Sequence, residues 1–144
     1  MNILKVKTEK RKLGTIGERA AAWHLFFHGY FIKARNYTGG KGFDLPEIDI
    51  IAQKGNTVAY IEVKTRTLGA ENPNEPRPAS AVTPEKQRKI IQTAAFHKAW
   101  NAKGKRMRFD IIEVYVENKN GKVKVKKIKH LEGAFTKDTA YRRR

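Results

Sequence analysis

Two short apolar segments carry charged residues at positions where a buried strand is expected. Residues 47–52 read Glu-Ile-Asp-Ile-Ile-Ala, and residues 58–64 read Val-Ala-Tyr-Ile-Glu-Val-Lys. Runs rich in isoleucine and valine predict β-strands, and an ionised group without a partner is costly to bury in such a strand. Asp49, Glu62 and Lys64 therefore need one common explanation, which constrains the fold more than any other feature of the sequence.

The segment between these two strands, residues 53–57, reads Gln-Lys-Gly-Asn-Thr and predicts a turn that makes them an antiparallel hairpin. Glu62 and Lys64 are two residues apart in one strand, so both side chains point to the same face. A four-residue loop sets Asp49 directly opposite Glu62, and a two-residue loop sets it opposite Tyr60. Both keep the charged residues on one face, and only a loop of odd length sends Asp49 to the other face.

Two carboxylates on adjacent strands, with Cβ atoms about 5 Å apart, repel each other unless positive charge lies between them. A hard divalent cation, Mg²⁺ or Mn²⁺, fits this position, because Mg²⁺ binds one or two carboxylates, waters and substrate phosphate oxygens. Lys64 could then orient a nucleophilic water or neutralise charge that develops on the phosphate oxygens. The alternative is a structural ion-pair cluster in which Lys64 bridges Asp49 and Glu62, since such networks also gather titratable groups.

Two segments have the periodicity and the end signals of amphipathic helices. The first begins at Thr15 and ends at Gly29. Its predicted buried face consists of Ile16, Ala20, Trp23 and Phe27. The second has Thr83 as N-cap and Pro84 at its first position. Its predicted buried face consists of Ile90, Ile91, Ala94 and Ala95.

Three further segments predict strands. Residues 30–34 precede the hairpin, residues 109–116 are almost continuously apolar like a strand covered on both faces, and residues 123–128 alternate with lysine like an edge strand. The predicted fold is α/β, a mixed restriction-endonuclease-like sheet flanked by helices in the order α-β-β-β-α-β-β. Residues 67–82 contain three prolines and predict an unusually long irregular loop.

The chain of 144 residues has 31 Lys plus Arg against 14 Asp plus Glu, a formal net charge of +17. Such a field attracts polyanions and makes nucleic acid the leading partner class. The absence of cysteine excludes disulfides and cysteine-ligated metal sites and favours a reducing cytoplasm. No apolar run reaches transmembrane length, so no membrane partner is expected. The His24 and His28 pair lacks an HExxH pattern and predicts structural or exposed histidines.

The acidic segments match a known pattern. Asp49, twelve intervening residues and Glu62-Val63-Lys64 resemble the PD-(D/E)xK nuclease core, with a spacing similar to that of archaeal Holliday-junction resolvases. Other motifs along the chain are Gly17-Glu18, Gly29-Tyr30, Arg35-Asn36, Glu47-Ile48, Thr65-Arg66, Lys86-Gln87, Arg108-Phe109-Asp110 and His130 with Ala134-Phe135. In combination, over residues 12–135, they resemble the YraN-like family of bacterial nuclease-like proteins.

The resemblance implies a metal-dependent nuclease fold with one divalent cation site. In such a fold Asp49 and Glu62 hold the metal, aided by the backbone carbonyl of Val63, and Lys64 assists catalysis. Glu18 corresponds to an acid on the first helix that reaches the metal directly or through water. The alternative for Glu18 is a capping box with Thr15 at the start of the helix.

The resemblance also bears on the substrate-facing residues. Arg66 would clamp a phosphate, and Lys86 would add a phosphate contact unless it is simply solvated. The chain departs from the family pattern at Pro46, in a Gly-rich insertion at residues 39–45 and in the long loop after Arg66. These departures concern substrate geometry more than the metal site.

The sequence therefore predicts a single nuclease-like domain at residues 13–135 between basic tails at residues 1–12 and 136–144. The lysines that would contact phosphates without reading sequence, or simply protect an edge strand, are Lys122, Lys124 and Lys126. The expected activity is metal-dependent hydrolysis of nucleic acid, DNA rather than RNA, with branched or single-stranded DNA as the candidate substrates. The alternatives are a non-catalytic binder in DNA uptake, recombination or repair, and an RNA-binding accessory protein. The oligomeric state stays open, a homodimer included.

Overall fold

The computed structural model describes residues 2–69 and 82–142. A five-stranded mixed sheet has the spatial order β1-β2-β3-β4-β5. Its strands are β1 (Phe31–Tyr37), β2 (Ile48–Lys54), β3 (Thr57–Thr67), β4 (Arg106–Lys119) and β5 (Lys122–Phe135). The helices are α1 (Ile3–Phe27), α2 (Pro84–Asn101) and α3 (Lys137–Tyr141). The predicted α/β class and element order are confirmed, and the short α3 follows the last strand.

Neighbouring strands are antiparallel except β3 and β4, which run parallel. A parallel pair needs a crossover connection, and α2 lies in it. The β2–β3 hairpin turns through residues 55–56 and pairs Gln53 with Val58. Continued beyond its last pair, the same register sets Asp49 opposite Glu62, the pairing predicted for a four-residue loop at residues 54–57. The loop itself is shorter than that prediction, because Lys54 also pairs with Thr57.

A hydrophobic cluster covers each face of the sheet. On one face α1 contributes Ala21 and Leu25, which share a cluster with Ile50 and Ile112. On the other face α2 contributes Ile90 and neighbouring residues, which pack against the alternate positions of the same strands. The interior strand β4 is therefore covered on both faces and β5 forms an edge, as their apolar and lysine-alternating patterns predict.

The first helix begins earlier than predicted. Asn2 caps it by accepting a hydrogen bond from the amide of Leu4 at 3.0 Å, so the basic residues 5–12 lie within the helix. Thr15 is an interior residue whose hydroxyl donates to the carbonyl of Arg11 at 2.9 Å. The prediction of a helix start at Thr15, and with it the capping-box role of Glu18, is wrong.

The predicted buried face of α1 is wrong for its two aromatic residues, whereas Ile16 is half-buried and Ala20 packs against the core. Gly17, Ala21 and Leu25 are buried, whereas Trp23 is 60% exposed and Phe27 is 75% exposed. The reason is close packing, because a Cβ atom on Gly17 would overlap the side-chain hydroxyl of Thr65 in β3. Small residues bring the helix onto the sheet, and the large aromatic side chains point away from it.

The second helix begins as predicted. The hydroxyl of Thr83 accepts a hydrogen bond from the amide of Lys86 at 3.2 Å, and Pro84 occupies the first position. Its buried residues are Ile90, Ile91, Thr93, Ala94 and His97. Ala95 is exposed, contrary to the prediction, because it lies one residue beyond the stripe that contacts the sheet. Of the loop predicted at residues 67–82, positions 70–81 lie outside the described residues.

Candidate metal centre

Three carboxylates from separate elements meet beside the start of β2. Glu18 comes from α1, Glu47 directly precedes β2, and Asp49 lies within it, and one oxygen of each lies within 4.8 Å of the other two. Among residues 2–69 and 82–142 this is the one group of three or more such side chains close enough to share a metal ion. The fold thus places acids that are up to thirty-one positions apart at a single point.

Asn36, at the end of β1, holds two of these acids. Its side-chain amide donates to Glu47 Oε1 at 2.9 Å and to Glu18 Oε2 at 3.5 Å. Its backbone has φ of 51°, a left-handed conformation that asparagine tolerates better than most residues. The left-handed backbone at Asn36 therefore accompanies a side-chain amide that donates to the two carboxylates. Because the amide is neutral, it does not cancel their charge.

Asp49 is the electrostatic centre of the group. Burial raises the pKa of its carboxyl to about 8, with further contributions from the negative charges of Glu62, Glu18 and Glu47. A hydrogen bond from the amide of Val63 to Asp49 Oδ2 at 2.8 Å opposes this shift of the pKa. The carboxyl therefore keeps a proton near neutral pH unless a cation takes the proton's place.

Glu62 lies next to this group on β3 and is 5% exposed. Its Oε1 is 3.7 Å from Lys64 Nζ and 3.9 Å from Lys86 Nζ. Its Oε2 is buried and has no hydrogen-bond partner among residues 2–69 and 82–142. A buried carboxylate oxygen without a donor is rare in folded proteins, and hard divalent cations take such oxygens as ligands. These residues therefore fit a Mg²⁺ or Mn²⁺ ion.

The structure brings the predicted residues together unequally. Asp49 and Glu18 lie in the carboxylate group, and the amide of Val63 contacts Asp49. Glu62 is outside the group of three but close enough to act on the pKa of Asp49. Lys64 contacts Glu62 from two positions along β3, so part of the ion-pair interpretation also holds.

The predicted phosphate-binding residues lie in two places. Arg66 follows Lys64 along β3 and is half-buried, and its Nε has no hydrogen-bond partner within the described part of the chain. Lys86 lies in the first turn of α2. The lysines of β5, on the opposite edge of the sheet from β1, are exposed: Lys122, Lys124 and Lys126. Their contact with nucleic acid stays a prediction.

Sequence reasoning missed Glu47 and Asn36 as members of the site. Both lie in motifs that carry the family resemblance, Glu47 ahead of the hairpin and Asn36 in Arg35-Asn36. The signal in the sequence was that Asn36 and Glu47 are polar residues at the ends of apolar strands, one before and one after the Gly-rich residues 39–45. Only the β1–β2 pairing, which opposes Tyr37 to Ile48, shows that these two ends meet.

Two of the other motifs form a polar network away from the acids. Asp110 is fully buried and accepts hydrogen bonds from Arg108 Nη2 and His130 Nε2, each at 2.8 Å, and from the amide of Gly133 at 3.0 Å. Burial alone would raise the pKa of Asp110, but the bonds from His130, Arg108 and Gly133 outweigh it and lower that pKa. The network links β4 to β5 and is structural.

The histidines follow the predicted pattern of structural and exposed side chains. His28 is exposed and its ring stacks on that of His24 at 4.0 Å between centroids. His97 is buried against the hydroxyl of Tyr60 at 2.9 Å. Within the described parts of the chain, no histidine belongs to a group of potential metal ligands.

These features define an α/β protein with a mixed five-stranded sheet and a cluster of acids beside its second strand. Residues 17–114 match the model of a family described as uncharacterised protein family UPF0102. A UPF0102 protein of Chlorobium phaeobacteroides is 38% identical over 125 residues, and the match covers 85% of this chain and 93% of that protein. A UPF0102 protein of Caldanaerobacter subterraneus is 38% identical over 130 residues, and the match covers 90% of this chain and 98% of that protein. The chain belongs to the UPF0102 family, which is the YraN-like family.

A third relative, from Caldicellulosiruptor saccharolyticus, is 40% identical over 123 residues and is also named a UPF0102 protein. Such names state a family and no activity. As for membranes, none of the helices described here is both long enough and apolar enough to cross one.

Proposed function

We propose that the protein is a metal-dependent nuclease of the PD-(D/E)xK type that hydrolyses phosphodiester bonds of nucleic acid, DNA rather than RNA. The observation that carries the proposal is the gathering of Glu18, Glu47 and Asp49 at one point beside the buried Glu62. Among residues 2–69 and 82–142, none of the three gathered acids forms an ion pair. Mutually repelling carboxylates without a cationic side chain leave room for a bound cation.

The ligands of Mg²⁺ or Mn²⁺ would be Asp49, Glu18 and Glu47, with Glu62 and the carbonyl of Val63 beside them. When bound, such an ion polarises a phosphoryl oxygen and lowers the pKa of a coordinated water. Asn36 keeps two of the carboxylates in place through its side-chain amide. A site held by such hydrogen bonds is ordered before the ion arrives, which lowers the cost of binding.

Lys64 supplies positive charge on the open side of Glu62. Its Nζ lies 3.7 Å from Glu62 Oε1, and its side chain is 32% exposed, so it can reach a phosphate without leaving the carboxylate. A fixed ammonium at this position stabilises negative charge that develops on the phosphate oxygens. Lys86, which also contacts Glu62, and Arg66, two positions further along β3, would hold flanking phosphates.

The net charge of +17 supports nucleic acid as the substrate class. Lysines exposed along β5, Lys122, Lys124 and Lys126, would contact the phosphate backbone and carry no base specificity. The absence of cysteine is consistent with a nuclease that functions in a reducing cytoplasm.

A second candidate is a non-catalytic nucleic-acid binder that acts in DNA uptake, recombination or repair. It is favoured by the contacts of both Lys64 and Lys86 with Glu62, which form a plain ion-pair cluster. The retained Asp49 and Glu18 argue for the enzyme, because a passive binder of phosphates would bind better with neutral or basic residues there.

The decisive experiment combines metal binding with cleavage. Mg²⁺ or Mn²⁺ should raise the melting temperature of the wild type, because a ligand that binds only the folded state stabilises it by mass action. Asp49→Asn should remove that gain, and Glu62→Gln should abolish cleavage of duplex, flapped, branched and single-stranded DNA. Glu9→Gln, which changes an exposed acid of α1, is the matched control and should behave as wild type.

Two results would contradict the proposal. An equal metal response in Asp49→Asn would place the cation elsewhere. A wild type that binds every DNA and cuts none with either metal would make the non-catalytic binder the better account.

A further inference from the structure

Large aromatic side chains are exposed on the side of α1 opposite its buried residues, towards the edge strand β1. Trp23 and Phe26 are each 60% exposed and Phe27 is 75% exposed. Their rings contact one another: Trp23 stacks on Phe27 at 5.8 Å between centroids and meets Phe26 edge-to-face at 6.0 Å. Contiguous exposed apolar surface on a protein usually marks a binding site.

Trp23 and Phe26 line a groove between α1 and the edge strand β1, called here the Trp23 groove. Its volume is about 370 Å³, near the lower end of small-ligand sites. Its residues are Arg19, Ala22, Trp23, Phe26, Ile32 and Arg35. The four from α1 follow the spacing i, i+3, i+4, i+7, so they form one continuous stripe along the helix.

The strand side of the groove depends on an irregularity of β1. Ile32 and Arg35 are three positions apart, and a regular strand would send them to opposite faces. The pairing of β1 with β2 shifts between Ile32 and Ala34, which lets Ile32 and Arg35 line the same groove. The result is an apolar floor with a guanidinium at Arg19 on the helix and another at Arg35 on the strand.

The Trp23 groove adjoins the candidate metal centre. Arg19 directly follows Glu18, and Arg35 directly precedes Asn36, whose amide contacts both Glu18 and Glu47. Both walls of the groove therefore continue into elements that hold the carboxylates. A ligand that extends from the groove along these two elements would therefore come near the candidate metal centre.

The charge of the chain distinguishes between two possible ligands of the groove, a second copy of the chain and a nucleobase. A second copy of a chain with net charge +17 would be repelled electrostatically. A nucleobase fits better, because aromatic rings and arginine side chains stack with bases while neighbouring cations contact the phosphates. Only an unpaired base can enter, since the bases of a duplex are stacked within it.

We propose that the Trp23 groove binds an unpaired nucleobase of the nucleic acid whose backbone passes the acidic cluster. This inference rests on the proposed function only in taking nucleic acid as the ligand. It adds a binding site and a substrate class: strands with at least one unpaired nucleotide beside the bond that is cut.

The test measures binding without metal, so it does not depend on cleavage. In EDTA, a fluorescein-labelled single-stranded oligothymidylate should bind more tightly than an abasic oligonucleotide of equal length and than a blunt duplex. In a Trp100→Phe background, Trp23 is the sole tryptophan. Its fluorescence should be quenched by the oligothymidylate and not by the abasic strand.

Variants then localise the effect. Trp23→Ala should weaken binding of the oligothymidylate by about 5- to 150-fold, the range for loss of one base–aromatic stack. Trp23→Phe should keep most of the affinity. Trp100→Ala removes the other tryptophan, which is 75% exposed on α2, and should leave binding unchanged. Binding of the abasic strand should be equal in all variants.

Several results would overturn the inference. One is equal affinity of wild type for oligothymidylate and abasic strand, and another is a Trp23→Ala variant that still binds the oligothymidylate as wild type does. A third is a wild-type dimer that Trp23→Ala converts to monomer in sedimentation, which would assign the groove to a protein surface. Base-dependent binding without any cleavage would sink the nuclease proposal alone, and normal cleavage with unchanged Trp23→Ala binding would sink this inference alone.

Discussion

The charge of Lys64 and the charges of the acids have separable tasks in the proposed reaction. The acids hold a cation whether or not phosphate is present, whereas Lys64 matters when charge develops on the attacked phosphate. The 3.7 Å contact between Lys64 Nζ and Glu62 Oε1 positions the ammonium before the reaction, so no side-chain entropy is lost during it. Loss of such a preorganised charge costs rate rather than binding.

Lys64→Ala should therefore bind DNA almost normally and cut it on the order of a hundredfold more slowly. The many other cations of the chain dominate an affinity that is spread over several salt-screened phosphate contacts. Single-turnover cleavage and anisotropy binding, measured on the same substrate, separate the two quantities. Lys89→Ala, an exposed lysine of α2 that pairs with Glu85, is the matched control. A loss of binding in proportion to cleavage would contradict the assigned role.

Asp110 is the opposite case, a carboxylate whose charge stabilises the fold. Its pKa is lowered in the folded protein, so its contribution is present above the ordinary carboxyl range and is lost as the pH falls. Asp110→Asn should cost roughly 3 kcal/mol of unfolding free energy at pH 7, because Arg108 loses a buried partner. The difference from wild type should shrink below about pH 4, where an ordinary aspartate takes up its proton.

Urea unfolding at several pH values measures this difference. Glu85→Gln removes an exposed pair with Lys89 and should change stability by less than about 1 kcal/mol at any pH. A difference between Asp110→Asn and wild type that stays constant from pH 7 to pH 3 would show that charge is not what Asp110 contributes.

At the level of elements, α1 is positioned by its smallest residue. Gly17 lies against Thr65 of β3, and a Cβ atom there would overlap the threonine hydroxyl. This approach also brings the adjacent Glu18 to Asp49, so the packing of the helix and the assembly of the acidic cluster depend on one position. Space at Gly17 is therefore a requirement of stability and of the proposed metal binding.

Gly17→Val should destabilise the protein by about 1–3 kcal/mol, as overpacking of a filled interior does, and should weaken the thermal shift caused by Mg²⁺. Gly14 in the same helix has open space where a Cβ atom would lie, so Gly14→Ala should instead stabilise by about 0.5–1 kcal/mol. Thermal and urea unfolding of both variants provide the measurement. Equal stability of the two variants would mean that the helix shifts freely on the sheet.

The same element shows what a single sequence can and cannot predict. The face shared by the charged residues was predictable because strand alternation is local, although the loop is two residues shorter than the one tied to this register, and the start of α2 was predictable from Thr83 and Pro84. The buried face of α1 was not, because periodicity favours large apolar side chains and this helix buries a glycine and an alanine instead. Hydrophobic patterns report which residues avoid water, not how closely two elements approach.

The candidate site was predictable only in part for a related reason. Asp49, Glu62 and Lys64 can be recognised from the sequence because they are charged residues within apolar strands. Glu47 and Asn36 sit at strand ends, where polar residues are ordinary, and the contact between them arises from the pairing of β1 with β2. Such members of a site become visible only when the chain is folded.

For the whole molecule, the net charge of +17 should dominate the affinity of the proposed binding to nucleic acid. Binding should weaken steeply with salt, since log K falls with log salt by about 0.9 per neutralised phosphate for duplex and about 0.7 for single strands. Sequence preference should be slight, because no described element has the features of a base-reading helix. Titrations at several salt concentrations check this, and a flat response would exclude nucleic acid as the partner.

A charge-reversing change on β5 provides the internal control for that titration. Lys124→Glu alters an exposed edge residue and should lower the salt slope, while leaving the melting temperature near that of wild type. If the slope does not change, the phosphate-binding surface lies elsewhere on the molecule.

The acids and the lysines of the site come from α1, β2, β3 and α2, so the chain must be made through residue 86 before they can meet. The parallel pairing of β3 with β4 extends this requirement to a strand that ends at Lys119. A nascent or partly degraded chain would thus carry a cationic surface without a working centre. Under the proposed function such a chain could bind nucleic acid but could not cut it, and the topology itself would prevent premature cleavage during synthesis.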